Sequence, residues 1–310
     1  MSPVFFAQIE QGLSTERLGA YAVSQSGAVP DPCATLARYL LNMALCESLY
    51  SPLQICEIAL RNAIHRHASS LMGRDDWYDA PGFPLTHWAG KEVSKAKAKI
   101  TKAGKPVTAA RVVAELQFGF WTSLFEDHYE KHTPFLPKAF KPVFPHLPKS
   151  LHKRKDRKAD LETIRVLRNH VFHHERIVHW KNLDAQHQLI LDVISWVSPE
   201  LRQMADALDR FQLVRKAGLK PWMAKLIRHL PASALSSAGS AGALETVDDA
   251  FDATNGAQTP FGHRWGGDVV TLTNGHIEVM RSGQTLALDV MSEYVVFLKA
   301  EPEEEEGDSQ

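Results

Sequence analysis

The sequence predicts a mainly α-helical protein followed by a small C-terminal β module, and three observations carry that prediction. Apolar residues recur at three- and four-residue intervals through most of the first 230 residues, the pattern of helices that bury one face. After Leu230 the chain becomes Pro-Ala-Ser-Ala-Leu-Ser-Ser-Ala-Gly-Ser-Ala-Gly-Ala, whose small side chains cannot bury enough area to hold a packed fold. Beyond it, alternating apolar stretches flank Asn274-Gly275, a pair that favours a tight hairpin turn.

Taken in order, Leu36, Leu40, Met43 and Leu45 predict a helix over 33–49, and Ile55, Ala59, Leu60 and Leu71 predict a second over 52–71. Pro52 suits the first turn of the second helix with Ser51 as its N-cap, and Gly73 is placed to end it. Helical patterns recur at about 107–131, 159–176, 183–214 and 221–229, separated by Pro-rich stretches such as Pro134 to Pro148. The expected organisation is a helical domain over 1–230, a flexible linker over 231–262, a β module over 263–300 and an acidic tail over 301–310. Within the β module, Val269–Thr273 and His276–Met280 form the hairpin, and Leu286–Val290 and Tyr294–Leu298 add further strands.

A chain of 310 residues, 44% hydrophobic and 23% charged, can bury a sizeable core. No apolar run reaches the roughly 20 residues that span a bilayer, and the N-terminus lacks the basic start and cleavage site of a secretory signal, so the cytoplasm is the expected compartment. Cys33, Cys46 and Cys56 are odd in number, lack CxxC spacing and sit in apolar sequence; they read as reduced core residues. The net charge of -1 hides a segregation of sign. From Lys131 to Lys181 thirteen Lys and Arg face four acidic residues, a net of +9, and a second basic run spans Lys91 to Lys105. The tail carries Glu301, Glu303 to Glu306 and Asp308. The basic middle would attract a polyanion, with Lys149, Lys153, Arg154, Lys155, Arg157 and Lys158 as the candidate contacts to an RNA backbone; a solvated helix face is the plainer alternative.

The informative segment is Ile164-Arg165-Val166-Leu167-Arg168-Asn169-His170-Val171-Phe172-His173-His174-Glu175-Arg176-Ile177. On a helix, Ile164, Leu167 and Val171 define an apolar arc with Arg168 in it or at its edge, so the guanidinium needs a carboxylate such as Glu175, an interface or a cleft. Asn169 and His173 share a face, whereas Arg168 and His173 diverge by about 140°. Convergence then needs a long Arg reach, a helix that ends near His174, or a second copy packed against the first; the dimer is the favoured route. Imidazole and guanidinium together suit RNA cleavage without metal: the ring moves protons while the arginine meets phosphate charge. A structural salt bridge with histidines satisfied in a packed helix is the alternative reading.

Arg168-Asn169-x-x-x-His173 resembles the R-[polar]-x(3–5)-H motif of the HEPN ribonuclease superfamily, and LRNHVFHHERI resembles the signature of its Abi-like branch. Cys56-Glu57-Ile58-Ala59-Leu60-Arg61-Asn62 is similar to that branch's early E-x-x-L-R-N helix, and Gln117-Phe118-Gly119-Phe120-Trp121 to its FGFW helix. The ordered set covers roughly residues 35 to 200. The resemblance implies a HEPN-type helical bundle, a homodimer through the motif helix, and RNA cleavage leaving a 2',3'-cyclic phosphate. It also implies a toxin or phage-triggered abortive-infection effector, answering to an antitoxin or a phage-derived trigger. Arg168 would stabilise phosphate, Asn169 orient, His173 act as general acid or base, and His174 assist or replace it. Val171-Phe172 stands where the branch usually has a smaller x-Ala step, and the β module lies outside the match.

Arg61, Asn62, His65 and His67 repeat the look of the motif and could offer a second RNA contact, although the resemblance gives Glu57 and Arg61 an inner role. Phe118 and Trp121 could stack on a base or fill the core. His170, His173, His174 and His179 raise the alternative of a metal site, without the HExxH order or a carboxylate at characteristic spacing. No cofactor and no resident metal are expected.

Overall fold

The computed structural model describes residues 1–23, 30–133 and 135–230, together with the backbone of three strands between residues 269 and 289. Two units are distinguished, Met1–Ala234 and Leu235–Gln310. The first is helical: α1 (Pro3–Leu13), α2 (Thr15–Gly19), α3 (Pro32–Met72), α4 (His87–Lys102), α5 (Ala109–Glu115), α6 (Phe118–Ser123), α7 (Asp127–Lys131) and α8 (Phe135–Val143) come first. After them run α9 (Arg154–Phe172), α10 (Leu183–Val197), α11 (Pro199–Leu208), α12 (Phe211–Ala217) and α13 (Lys220–His229). The described protein is thus mainly α. No helix among the described residues is long and apolar enough to cross a membrane.

The long α3 is the axis of this unit, packing against α6 and against each of α8 to α13. The sequence reading divides it at Pro52; the structure does not. Proline in a helix interior costs about 3 kcal/mol. Leu45, Leu49, Leu53, Cys56 and Leu60 carry one buried stripe straight through the break, and each fully buried Leu returns about 1.5–3 kcal/mol. The stripe outweighs the proline. Ser51 is accordingly mid-helix, and the true cap is Asp31, whose carboxylate oxygens accept from the Cys33 and Ala34 N–H groups ahead of Pro32 at the first position. Gly73 ends the helix as expected, at φ 68°, a left-handed conformation that glycine adopts without a Cβ penalty.

Two other predicted helices are segmented. The stretch 107–131 becomes α5, α6 and α7, and 183–214 becomes α10, α11 and α12. Ser198, extended at φ -159°, caps α11 through its side chain and places Pro199 at the helix start, so a pattern read as continuous is interrupted at a Ser-Pro step. Phe118, Phe120 and Trp121 are buried and join Trp77, Phe83, Tyr129 and Phe135 in an aromatic core, which settles their role as packing. His65, half-buried, accepts from the Trp77 indole N–H at 3.0 Å and His67 is buried against the Phe135 carbonyl, so both rings are engaged by the fold. All three cysteines are free and buried.

In the second unit, β1 (Val269–Thr273), β2 (His276–Arg281) and β3 (Gln284–Asp289) pair antiparallel in that order, with Val270 opposite Val279 and Ile277 opposite Leu288. The expected linker, the Asn274-Gly275 turn, the Tyr294–Leu298 strand and the acidic tail lie outside the described residues.

Candidate active site at the end of α9

Helix α9 buries Leu161, Ile164, Leu167 and Val171 against α3, α6 and α10, and this stripe fixes which way the motif faces. The expected helix over 159–176 starts earlier, at Arg154, and stops at Phe172. The stop is a Schellman motif: the His174 N–H reaches the Val171 carbonyl at 3.2 Å and the Glu175 N–H reaches the His170 carbonyl at 2.8 Å. The left-handed residue this motif needs is His174, at φ 58°. A side chain there costs about 1–2 kcal/mol relative to glycine, and such outliers gather at functional sites.

Two remote residues brace the turn. Asn42, buried on α3, accepts from the Ile177 N–H at 2.8 Å and the Val178 N–H at 3.0 Å and donates to the Glu175 carbonyl at 3.1 Å. Its amide is therefore satisfied by the backbone that follows the motif, which holds that backbone against α3. Arg17, on α2, donates to the His174 carbonyl at 3.1 Å. A polar residue inside the apolar stripe of α3 is the one signal by which sequence could have found Asn42; nothing local marks Arg17, which lies 157 positions away.

The predicted residues separate into two groups. Arg168 is directed toward α3, where its Nε donates to Glu57 Oε2 at 3.2 Å and its guanidinium lies 4.3 Å from the Phe172 ring centre. Glu57 thus replaces Glu175 as the expected carboxylate, and Glu175 instead sits 3.0 Å from His170 Nε2. The reason is geometric: a residue seven positions on lies past the helix end, where the left-handed step turns the chain away. Asn169 is half-buried, and its carbonyl accepts the His173 N–H at 2.9 Å. His173 and His174 are exposed, and neither ring makes a hydrogen bond, ion pair or ring contact with the described residues. The guanidinium and these two rings are therefore not in contact within one chain.

His170 is engaged on both nitrogens, by the Val166 carbonyl at 2.8 Å and by Glu175, and its ring packs edge-on against Trp180. His179 accepts from Arg176 Nε at 3.1 Å; partial burial first, and then the charges of Arg176 and His170, hold its pKa below the usual range. Among the described residues no three His, Cys, Asp or Glu are grouped to hold a metal ion, so the four histidines do not form one site.

The basic residues chosen as RNA contacts stand before α9 or in its first turns, which at about 1.5 Å per residue puts Lys158 about 15 Å along the helix from Arg168 and Lys155 about 27 Å from His173. Lys149, Lys153 and Lys155 are exposed. Arg154 pairs with Glu130 and Asp127, and Lys158 with Glu126 and Glu162. Arg157 corrects the expectation outright: it is buried, paired with Asp160 at 2.8 Å and stacked over Trp196 at 4.7 Å, so it holds the fold and does not face a ligand. Two of its nitrogens, Nε and Nη1, have no hydrogen-bond partner.

No family model, curated protein or solved structure matches the chain.

Proposed function

We propose that this protein is a metal-independent RNA endonuclease of the HEPN type, Abi-like, acting in the cytoplasm as a homodimeric toxin or antiphage abortive-infection effector. The observation that supports this reading is the braced, strained turn that leaves both His173 and His174 exposed to solvent, one helical turn beyond Arg168 and Asn169. In the reaction one imidazole takes the proton of a ribose 2'-OH as that oxygen attacks the adjacent phosphorus. The other protonates the departing 5' oxygen, leaving a 2',3'-cyclic phosphate and a 5'-OH. Two proton-carrying groups are what this displacement needs, and a helix C-terminus supplies carbonyls instead of N–H groups, so phosphate charge must be met by side chains. Arg168 engages Glu57 through Nε alone, which leaves its Nη donors for a phosphate oxygen. Asn169 orients the phosphate, and the second protomer brings its own guanidinium to the rings. The β strands form an accessory module, and an antitoxin or phage-derived trigger controls the activity.

The Arg168–Glu57 pair favours a second reading, in which the arginine is structural and the bundle binds RNA or protein without cutting. Incubation of end-labelled total RNA with wild type and His173→Ala in EDTA separates the two. The nuclease yields cyclic phosphate ends that vanish in the variant. RNA binding with no cleavage by wild type establishes the silent module.

A further inference from the structure

Beside the motif turn lies a cleft of about 430 Å³ between the first half of α3 and the end of α9. Its walls are aromatic and soft, from Tyr39, Met43, Tyr50 and Phe172, and its rim carries Arg17, His174 and Arg210. We propose that this cleft is the subsite for one unpaired nucleotide of RNA, its base stacked on Tyr50 and its phosphate met by Arg17 and Arg210; the inference rests on the nuclease reading and adds where the strand is gripped.

The volume falls within the roughly 300–1,000 Å³ of small-ligand sites. Tyr50 already stacks on Phe172, with ring centres 5.0 Å apart and planes 25° apart. Tyr50 is nevertheless 48% exposed, so the stack on Phe172 leaves about half of the residue accessible to a partner. Met43, 52% exposed, adds a polarisable wall that adapts to a ring edge. Aromatic platforms of this kind take bases without regard to sequence, because every base has a π-face.

The rim suits a phosphate. Arg17 is tied to the His174 carbonyl through Nη1, which aligns it with the turn and leaves other N–H groups for an anion. Arg210 also lines the cleft, paired with Glu47 at 2.8 Å. Glu47 also lines the cleft, so an entering phosphate competes with it for Arg210, while its carboxylate can accept from a base amino group. Because His174 belongs to both the cleft wall and the motif turn, a nucleotide seated here places its neighbouring phosphodiester at the proposed catalytic rings. The buried thiol of Cys46, pushed up to about 11 by burial, is a neutral part of the lining.

The test uses a short 2'-O-methyl RNA carrying one 2-aminopurine, which cannot be cut and whose fluorescence falls on stacking. The full-length protein is expected to quench it, Tyr50→Ala to bind about 5- to 150-fold more weakly, and Tyr50→Phe to bind as wild type, as base stacking predicts. Trp88→Ala, an exposed aromatic on α4, serves as the control and leaves binding unchanged. Thermal melting of each variant reports folding. Equal binding by wild type and Tyr50→Ala overturns the proposal, as does no quenching by wild type or an equal loss in Trp88→Ala. A Tyr50→Ala defect that tracks conversion of a dimer to monomers assigns the cleft to a second copy and also overturns it. Because the probe has no free 2'-OH, Tyr50-dependent binding with no cleavage of ordinary RNA refutes the nuclease reading alone.

Discussion

At the scale of single residues, the structural role of His174 can be separated from the catalytic one proposed for it. As the left-handed residue of the Schellman motif it pays a conformational penalty that glycine would not. His174→Gly relieves about 1–2 kcal/mol of strain and loses about 0.5–1 kcal/mol through the freer unfolded chain, a net gain of about 0.5 kcal/mol in urea denaturation. The turn survives, since its bonds from Asn42 and Arg17 are made to backbone atoms. Cleavage should nonetheless fall by about 10²-fold or more if the imidazole carries a proton in the reaction. A glycine variant that is stable and cuts RNA like wild type would reduce His174 to a turn residue. The motif string was legible in the sequence, and so was the need of Arg168 for a carboxylate. Which carboxylate was not: Glu57 lies 111 positions away, and only the packing of α3 on α9 brings it near.

At the scale of elements the patterns behind α3, α5 to α7 and α9 to α13 were legible, whereas α1, α2, α4 and α8 were not, the last lying in the Pro-rich stretch that reads as a separator, and most helix limits were not legible either. The buried stripes of α3 and α9 show as three- and four-residue periodicity, but whether a proline or a Ser-Pro step ends a helix depends on what the next turn can bury, which is a tertiary property. Pro52 is bridged by a continuous stripe. Ser198-Pro199, with a side-chain cap ready, is not bridged. The same burial of α3 predicts acid sensitivity. His65 and His67 are held below the ordinary imidazole range, chiefly by desolvation, with Arg61 and Arg66 adding to the effect at His65 against Asp75, and Lys138 at His67 against the Phe135 carbonyl. Below about pH 6.5 the unfolded chain therefore binds more protons than the folded one. Their contribution is fully present above that pH and is lost as pH falls towards and through the folded values. Urea midpoints measured between about pH 7.5 and 5.5 should fall, and His65→Gln, which keeps an acceptor for the Trp77 N–H, should fall less steeply. An identical slope in wild type and variant would remove His65 from the account.

Over the whole molecule, charge read along the chain overstated what the surface presents. The net of +9 between Lys131 and Lys181 omits Glu126, Asp127 and Glu130, which lie just upstream and fold back onto Arg154 and Lys158. Arg157 is withdrawn into the core altogether. What is left exposed near the start of α9 is Lys149, Lys153 and Lys155, the last about 27 Å along the helix from His173. A strand long enough to touch both ends should lose about 0.7 in the slope of log affinity against log salt for each lysine removed, so the triple alanine variant should flatten it by about 2. Arg157→Ala should act differently, lowering the melting temperature while leaving the slope of the folded protein as it was, because its charge faces Asp160 and Trp196. Substrate length then tests the geometry. A dinucleotide at the motif cannot reach the lysines, so its cleavage should be indifferent to the triple substitution, while cleavage of a long strand under subsaturating conditions should weaken with it. If both substrates respond equally, the lysines act through the fold or the dimer and not as a track for RNA.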